Sequence, residues 1–264
     1  MYLIDICLVE RYNTNKIIYK GADRMLSKLS EKQKGIFSIV LRFIGLAIGI
    51  ASIVLHMSVN SLLTTGFMVN HNLAYFTLQT NIFSVGIFLI LLIQSFVTIH
   101  KEHEVKVAYI NPTLHLACTM YITITMVVYW LVLTPVSGPP QNVILLLDGL
   151  GLHLITPLLA IIDCLLFSNH GKVSFKAIPK MLIYPVLYYI SVIIVSQCIT
   201  EPYYTLKIHG QDVGLMYPYP FLDPNIIGVG GVVLAVIALV VFFVLFAMLY
   251  IWLDGKIGKK ASKQ

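Results

Sequence analysis

Three ionisable residues stand in one apolar stretch of this chain: Asp148, His153 and Asp163, all within 143–167. An ionisable group at the centre of a spanning helix costs about 2.5–3.5 kcal/mol, so each should face inward, pair, or serve a function. A histidine held there can be a general base or a metal ligand, or can simply bond a neighbouring carbonyl. At about 100° per residue, Gly149, His153, Thr156, Pro157, Ala160 and Cys164 share one helical stripe. Its small residues would admit a neighbouring helix and place His153 inside a bundle. A second polar stripe, Thr77, Thr80, Asn81 and Ser84, runs at spacings of three and four. Membrane hydroxyls often bond the carbonyl one turn back and Asn often ties helices together, so this stripe reads first as glue and second as chemistry. Arg42 and Asp163 fall in matching halves of their stretches and are expected to approach as a structural pair, with Arg42 reaching to lipid headgroups as the alternative.

Soluble-enzyme signatures are missing: there is no Walker A, no G-x-G-x-x-G after a strand, no G-x-S-x-G and no H-E-x-x-H. His56, His71, His153 and His209 map to one half of the chain's cross-section, yet none shows a ligand spacing on one helix, so neither metal nor cofactor is expected. Cys7, Cys118, Cys164 and Cys198 are not placed for pairing and read as free thiols.

The elements that must position these groups are legible from composition. Residues are 58% hydrophobic and only 11% charged, with a mean hydropathy of +0.86. A soluble domain carries about a quarter charged residues, so the chain belongs to the membrane class. Backbone groups in lipid must be satisfied internally, and the apolar runs are continuous rather than alternating, which selects helices over a barrel. Six runs, roughly 36–56, 74–98, 114–134, 143–167, 180–199 and 229–253, can each supply the ~20 residues of a span. The expected fold is an all-α polytopic bundle, with a basic segment at 1–35, a membrane domain at 36–253 and a basic tail at 254–264.

Sixteen of the eighteen Lys and Arg fall before the first run, in the second and fourth loops, or in the tail. The positive-inside rule then predicts both termini in the cytoplasm. The net charge of +6 reports topology and contact with anionic membrane lipids, not nucleic-acid binding. No cleavable signal is visible, and the residues before Met25 read either as a mobile arm or as an upstream start not always used. Trp130 and Trp252 read as interface anchors, and the loop over roughly 200–228, with Tyr217 and Tyr219 in Tyr-Pro-Tyr-Pro-Phe-Leu-Asp, should hold its aromatics at headgroup level.

Three patches carry a family resemblance: Ala-Tyr-Phe-Thr-Leu-Gln-Thr-Asn at 74–81, Gly-Leu-His-Leu-Ile-Thr-Pro-Leu-Leu-Ala-Ile-Ile-Asp-Cys-Leu-Leu-Phe at 151–167, and Tyr-Pro-Phe-Leu at 219–222. In their order and spacing the chain resembles the androgen-induced and androgen-dependent integral membrane hydrolases, and their bacterial branch more closely. The resemblance implies hydrolysis of fatty acid esters of hydroxy fatty acids by an intramembrane threonine and histidine. These correspond to Thr77 and His153, with Thr80, Asn81, Asp148, Tyr217 and Tyr219 as supporting or substrate-binding candidates. His153 precedes Pro157 by four positions where the family spacing is five. Counting at 1.5 Å per residue puts Thr77 ~5 Å and His153 ~15 Å into their helices, a gap that a second helix starting nearer Asn70 would close. Two other readings stand beside this one. One is a metal-dependent lipid hydrolase; the other is a small transporter or lipid-binding protein whose cavity is lined by Thr77, Asn81 and His153. A lateral apolar slot favours the hydrolase, and a watery path past Arg42 and Asp163 favours transport.

Overall fold

The structure, a computed structural model, describes residues 29–63, 72–137, 142–208 and 211–261. The arm before Met25, Cys7, His71 and His209 lie outside the described residues. Among the described residues six helices are long and apolar enough to cross a membrane: α1 Glu31–Leu63, α2 Phe76–Glu102, α3 Pro112–Val128, α4 within Val143–Phe167, α5 Ile178–Cys198 and α6 Pro224–Ala261. The chain is an all-α polytopic membrane bundle, and the expected runs fall on these helices.

Local chemistry sets the helix ends. Ser30 and Gln33 exchange side-chain-to-backbone bonds in a capping box before α1, the Ser30 N–H donating to Gln33 Oε1 at 2.8 Å. Asn111 caps α3 by accepting from the Leu114 N–H, with Pro112 in the first turn, and Asn142 caps α4 by accepting from the Leu145 N–H. α2 closes on His103, whose φ of 54° is left-handed. Gly228, at φ 70°, interrupts the helical backbone of α6 one turn after its start, a conformation that favours glycine.

The helix α3 is the hub. Every residue from His115 to Thr125 is buried, which is the pattern of a helix surrounded on all sides. On one side α3 meets α2 and α4; on the other it meets α5 and α6. Large apolar side chains on the outer faces of α5 and α6, such as Ile183, Ile194, Leu234 and Leu245, stay exposed, as a lipid-facing surface requires.

A feature the prolines of the 200–228 loop did not announce is a two-stranded antiparallel hairpin, β1 Tyr204–Ile208 with β2 Gln211–Leu215. Asp223, fully buried, fastens it to α6: its carboxylate accepts from the N–H groups of Met216 and Asn225. At this hairpin end, Tyr75 makes edge-to-face contacts with Tyr203 and Tyr219. At the opposite, basic end, Gly258 packs against the Gly171 backbone so closely that a side chain at Gly258 would collide with it. Trp252 is exposed near that end under the Lys256 ammonium, consistent with an interface anchor.

Candidate functional site: an apolar chamber and a polar column

Two proline residues shape the region around His153. Both α3 and α4 carry a π-helical turn followed by Thr-Pro: Tyr129–Leu133 before Thr134 and Pro135, and Gly151–Ile155 before Thr156 and Pro157. In α4 the Thr156 N–H reaches back five residues to the Gly151 carbonyl, and Pro157 has no N–H to give. The carbonyls of Leu152 and His153 therefore lose their helical donors. Neighbouring helices supply replacements: Asn81 Nδ2 donates to the Leu152 carbonyl at 3.1 Å, and Trp130 Nε1 donates to the His153 carbonyl at 2.9 Å. Trp130 thus sits half-buried against α4 rather than serving as the expected interface anchor, because an orphaned carbonyl inside the bundle is the stronger demand on an indole N–H.

The His153 ring is buried and lies flat on Tyr129, with centroids 3.5 Å apart and planes 12° apart. Its Nδ1 is 3.2 Å from the Gly149 carbonyl. A carbonyl only accepts, so Nδ1 carries the proton of that bond and Nε2 is left as the basic nitrogen. Glycines make the fit possible: a side chain at Gly149 would meet the Tyr129 hydroxyl at 2.7 Å, and one at Gly151 would strike Ser52. Nearby, His56 Nδ1 lies 3.0 Å from Asp148 Oδ2, so Asp148 is held to α1 by a hydrogen bond.

Thr77 occupies a different space. It lines an apolar chamber of about 220 Å3 enclosed by α2, α3, α5, α6 and the turn Pro220–Leu222. Ile124, Leu182, Val236, Leu239 and Phe243 make the apolar wall, and Thr77, Tyr188 and Tyr219 converge at the hairpin end. Thr77 is the second residue of α2, where backbone N–H groups have no helical acceptor and the helix dipole is positive. The Tyr219 hydroxyl faces those N–H groups of Phe76 and Thr77, together with the Thr77 and Tyr188 hydroxyls. Burial pushes the Tyr219 phenol above its ordinary range, and the surrounding donors pull partly against it.

Thr77 and His153 share no hydrogen bond, and His153 does not line the chamber. Asn81 joins their layers, because its Nδ2 donates both to the Thr77 carbonyl at 2.9 Å and to the Leu152 carbonyl. α2 starts at Phe76 rather than nearer Asn70, so the condition that would have closed the counted depth gap is not met; what Asn81 sets side by side are the Thr77 and Leu152 carbonyls, not the Thr77 and His153 side chains. Helix ends simply do not lie in one plane: α4 begins ten residues before His153, α2 one residue before Thr77. Thr80 donates to, or accepts from, Thr125 at 2.9 Å and also reaches the Thr77 carbonyl. Thr80 and Asn81 are thus engaged in tying helices. Tyr217 is buried and accepts from Gln197 at 3.4 Å, joining the hairpin to α5.

No family model, curated protein or solved structure matches the chain.

Towards the basic end the expected ionic pair is present. Arg42 Nε donates to Asp163 Oδ1 at 2.7 Å, and both side chains are 0% exposed. His115, on α3, brings Nε2 to 3.3 Å from Asp163 Oδ2, close enough to attract but off the line of a hydrogen bond. Arg42 also lies 5.8 Å from the centre of the Phe167 ring. Among the described residues no group of three His, Cys, Asp or Glu is placed to hold a metal ion. Cys118, Cys164 and Cys198 are free.

Several of these participants escape a reading of the sequence. His115 carries the same signal as His153, an ionisable residue in an apolar run, but no charged neighbour on its own helix. His56 and Tyr129 gain their meaning only from α4. The repeated Thr-Pro after an apolar run was the visible trace of both π turns.

Proposed function

We propose that this protein is an intramembrane lipid-ester hydrolase of the kind its sequence resembles, acting on fatty acid esters such as those of hydroxy fatty acids. The observation that carries the reading is the chamber: an apolar slot of about 220 Å3 that ends on a threonine at a helix N-terminus. An ester carbonyl placed there would direct its oxygen at the N–H groups of Phe76 and Thr77 and at the Tyr219 hydroxyl, donors suited to a developing oxyanion. Thr77 Oγ1 would attack the carbonyl carbon as His153 Nε2 takes its proton, and the leaving alkoxide would receive that proton. Water would then release the fatty acid from the acyl-threonine. With sixteen of eighteen basic residues on one side, both termini would face the cytoplasm of a bacterial plasma membrane, and the chemistry would lie in the outer leaflet.

One observation favours a second reading, a lipid-binding or transport protein: the chamber is lined by Thr77 but not by His153. Ester turnover by purified protein in detergent separates the two. Loss of turnover in both Thr77→Ala and His153→Ala, with chelator having no effect, supports the threonine–histidine hydrolase. Copurified lipid without turnover supports binding or transport, and turnover abolished by chelator supports a metal-dependent hydrolase.

A further inference from the structure

On the other face of α2 and α3 from the chamber, the structure places a set of buried polar atoms that make no hydrogen bond within the protein, Asp163 Oδ2 having only His115 Nε2 beside it at 3.3 Å. Arg42 Nη1 and Nη2, Asp163 Oδ2, Asn81 Oδ1 and Thr156 Oγ1 are all buried and unbonded. Their residues belong to α1, α2 and α4 and face α3, which adds His115 and Thr119. Orphans of this kind cost roughly 1–3 kcal/mol each, so in a folded protein they are met by something small. Between the Arg42–Asp163 pair and the Asn81–Thr156 layer lies a void of about 10 Å3 lined by Ser84, His115, Cys118, Thr119 and Ala160. That is the size of one water, and Ser84, His115 and Thr119 offer it polar partners.

Along α4 the intervals are short. Asp163 and Thr156 are seven residues apart, about 10 Å along the axis, with the Ala160 void between them; Thr156 and His153 are less than one turn apart. Beyond His153, the Asp148–His56 pair reaches the hairpin end, its side chains 13% and 16% exposed. At the opposite end the exposed Tyr109 lies within electrostatic reach of Arg42. The set therefore approaches both ends of the bundle.

We propose that this column, with water bound at the Ser84–His115–Thr119 void, relays protons between its polar side chains through the α1–α4 half of the bundle. Each hop breaks one O–H or N–H bond as the next forms, so nothing is oxidised and no co-reactant is consumed; a proton gradient alone drives it. A hydrated metal ion does not fit, since the void has the volume of one water and Ile87, Phe88 and Ala160 wall it beside the polar groups. Buried ionisable residues that pair in sequence across a membrane suit such a relay.

The test uses full-length protein in liposomes that enclose a pH-sensitive dye, with potassium and valinomycin balancing charge after an external acid jump. Wild type should discharge the gradient several-fold faster than protein-free liposomes. Thr156→Val and Ser84→Ala, which remove hydroxyls without leaving Arg42 unpaired, should fall towards the protein-free rate. Wild-type discharge no faster than protein-free liposomes, or hydroxyl variants as fast as wild type, would overturn the column. Ester turnover is followed on the same preparations. Hydrolysis without proton flux would overturn this proposal and leave the lipid-ester reading standing; flux without hydrolysis would do the reverse.

Discussion

The α2–α3 pair separates two kinds of interior. On its α5–α6 side lies a chamber whose walls are almost wholly apolar, and on its α1–α4 side runs a column of paired and orphaned polar groups. The first costs a membrane protein little, since an acyl chain in the chamber exchanges one hydrocarbon neighbour for another. The second is expensive, because every charge withdrawn from water must find an opposite charge or a hydrogen bond inside. Function can be argued from both, but for different reasons: from the chamber because its single polar end is chemically directed, from the column because so many costly groups are retained.

The comparison breaks most sharply at Asp163. Replacing it by Asn leaves the Arg42 charge buried without a counter-ion and should cost about 3–5 kcal/mol of stability, read as a lower thermal midpoint in detergent. The double variant Arg42→Leu with Asp163→Leu should recover most of that loss. A double variant no more stable than the single one would show that the pair is not what holds this end.

At the next level, Trp130→Phe leaves the proline-orphaned carbonyl of His153 without a donor, at about 1–3 kcal/mol. Gly151→Ala, which drives a methyl into Ser52, should cost a similar ~1–3 kcal/mol by overpacking α1 against α4. Unchanged midpoints would mean that the π turn can relax to accommodate either change. Chamber variants should behave in the opposite way. Val236→Phe fills empty volume and should leave the midpoint within about 1 kcal/mol of wild type while weakening turnover of long-chain esters more than short ones. A stability loss as large as that of the column variants would erase the distinction.

The smallest effect concerns the tyrosine cluster of the hairpin end. Burial raises Tyr75, Tyr203, Tyr204 and Tyr219 above their ordinary values. Their neutral forms are favoured in the folded state, so the stability they contribute is whole below about pH 10 and is lost as pH climbs through the raised values. Tyrosinate absorbance should therefore develop late, and together with loosening of the hairpin.

The six spans were legible because twenty apolar residues in a row have few alternatives, and the Arg42–Asp163 pair because two lone charges at matching depth have fewer still. Thr77 and His153 were visible as polar residues in apolar runs, but their mutual placement was not. It depends on α2 and α4 starting at different depths and on Asn81 spanning the carbonyl that Pro157 frees. The hairpin was hidden for another reason: the prolines at 218 and 220 mark its exit, not its strands. His115 was overlooked, and the Asp148 partner of His56 went unseen, because the partners are remote in sequence.

The most direct test of the central claim, that the chamber delivers an ester to Thr77, is to look for the acyl group itself. Purified protein is mixed with a long-chain activated ester, quenched in acid within the first turnover, digested and mapped by mass spectrometry. The account predicts one acyl mass on the peptide that contains Thr77, accumulating in His153→Ala only slowly and absent in Thr77→Ala. Turnover that proceeds with no adduct on Thr77, or with undiminished rate in Thr77→Ala, would contradict it.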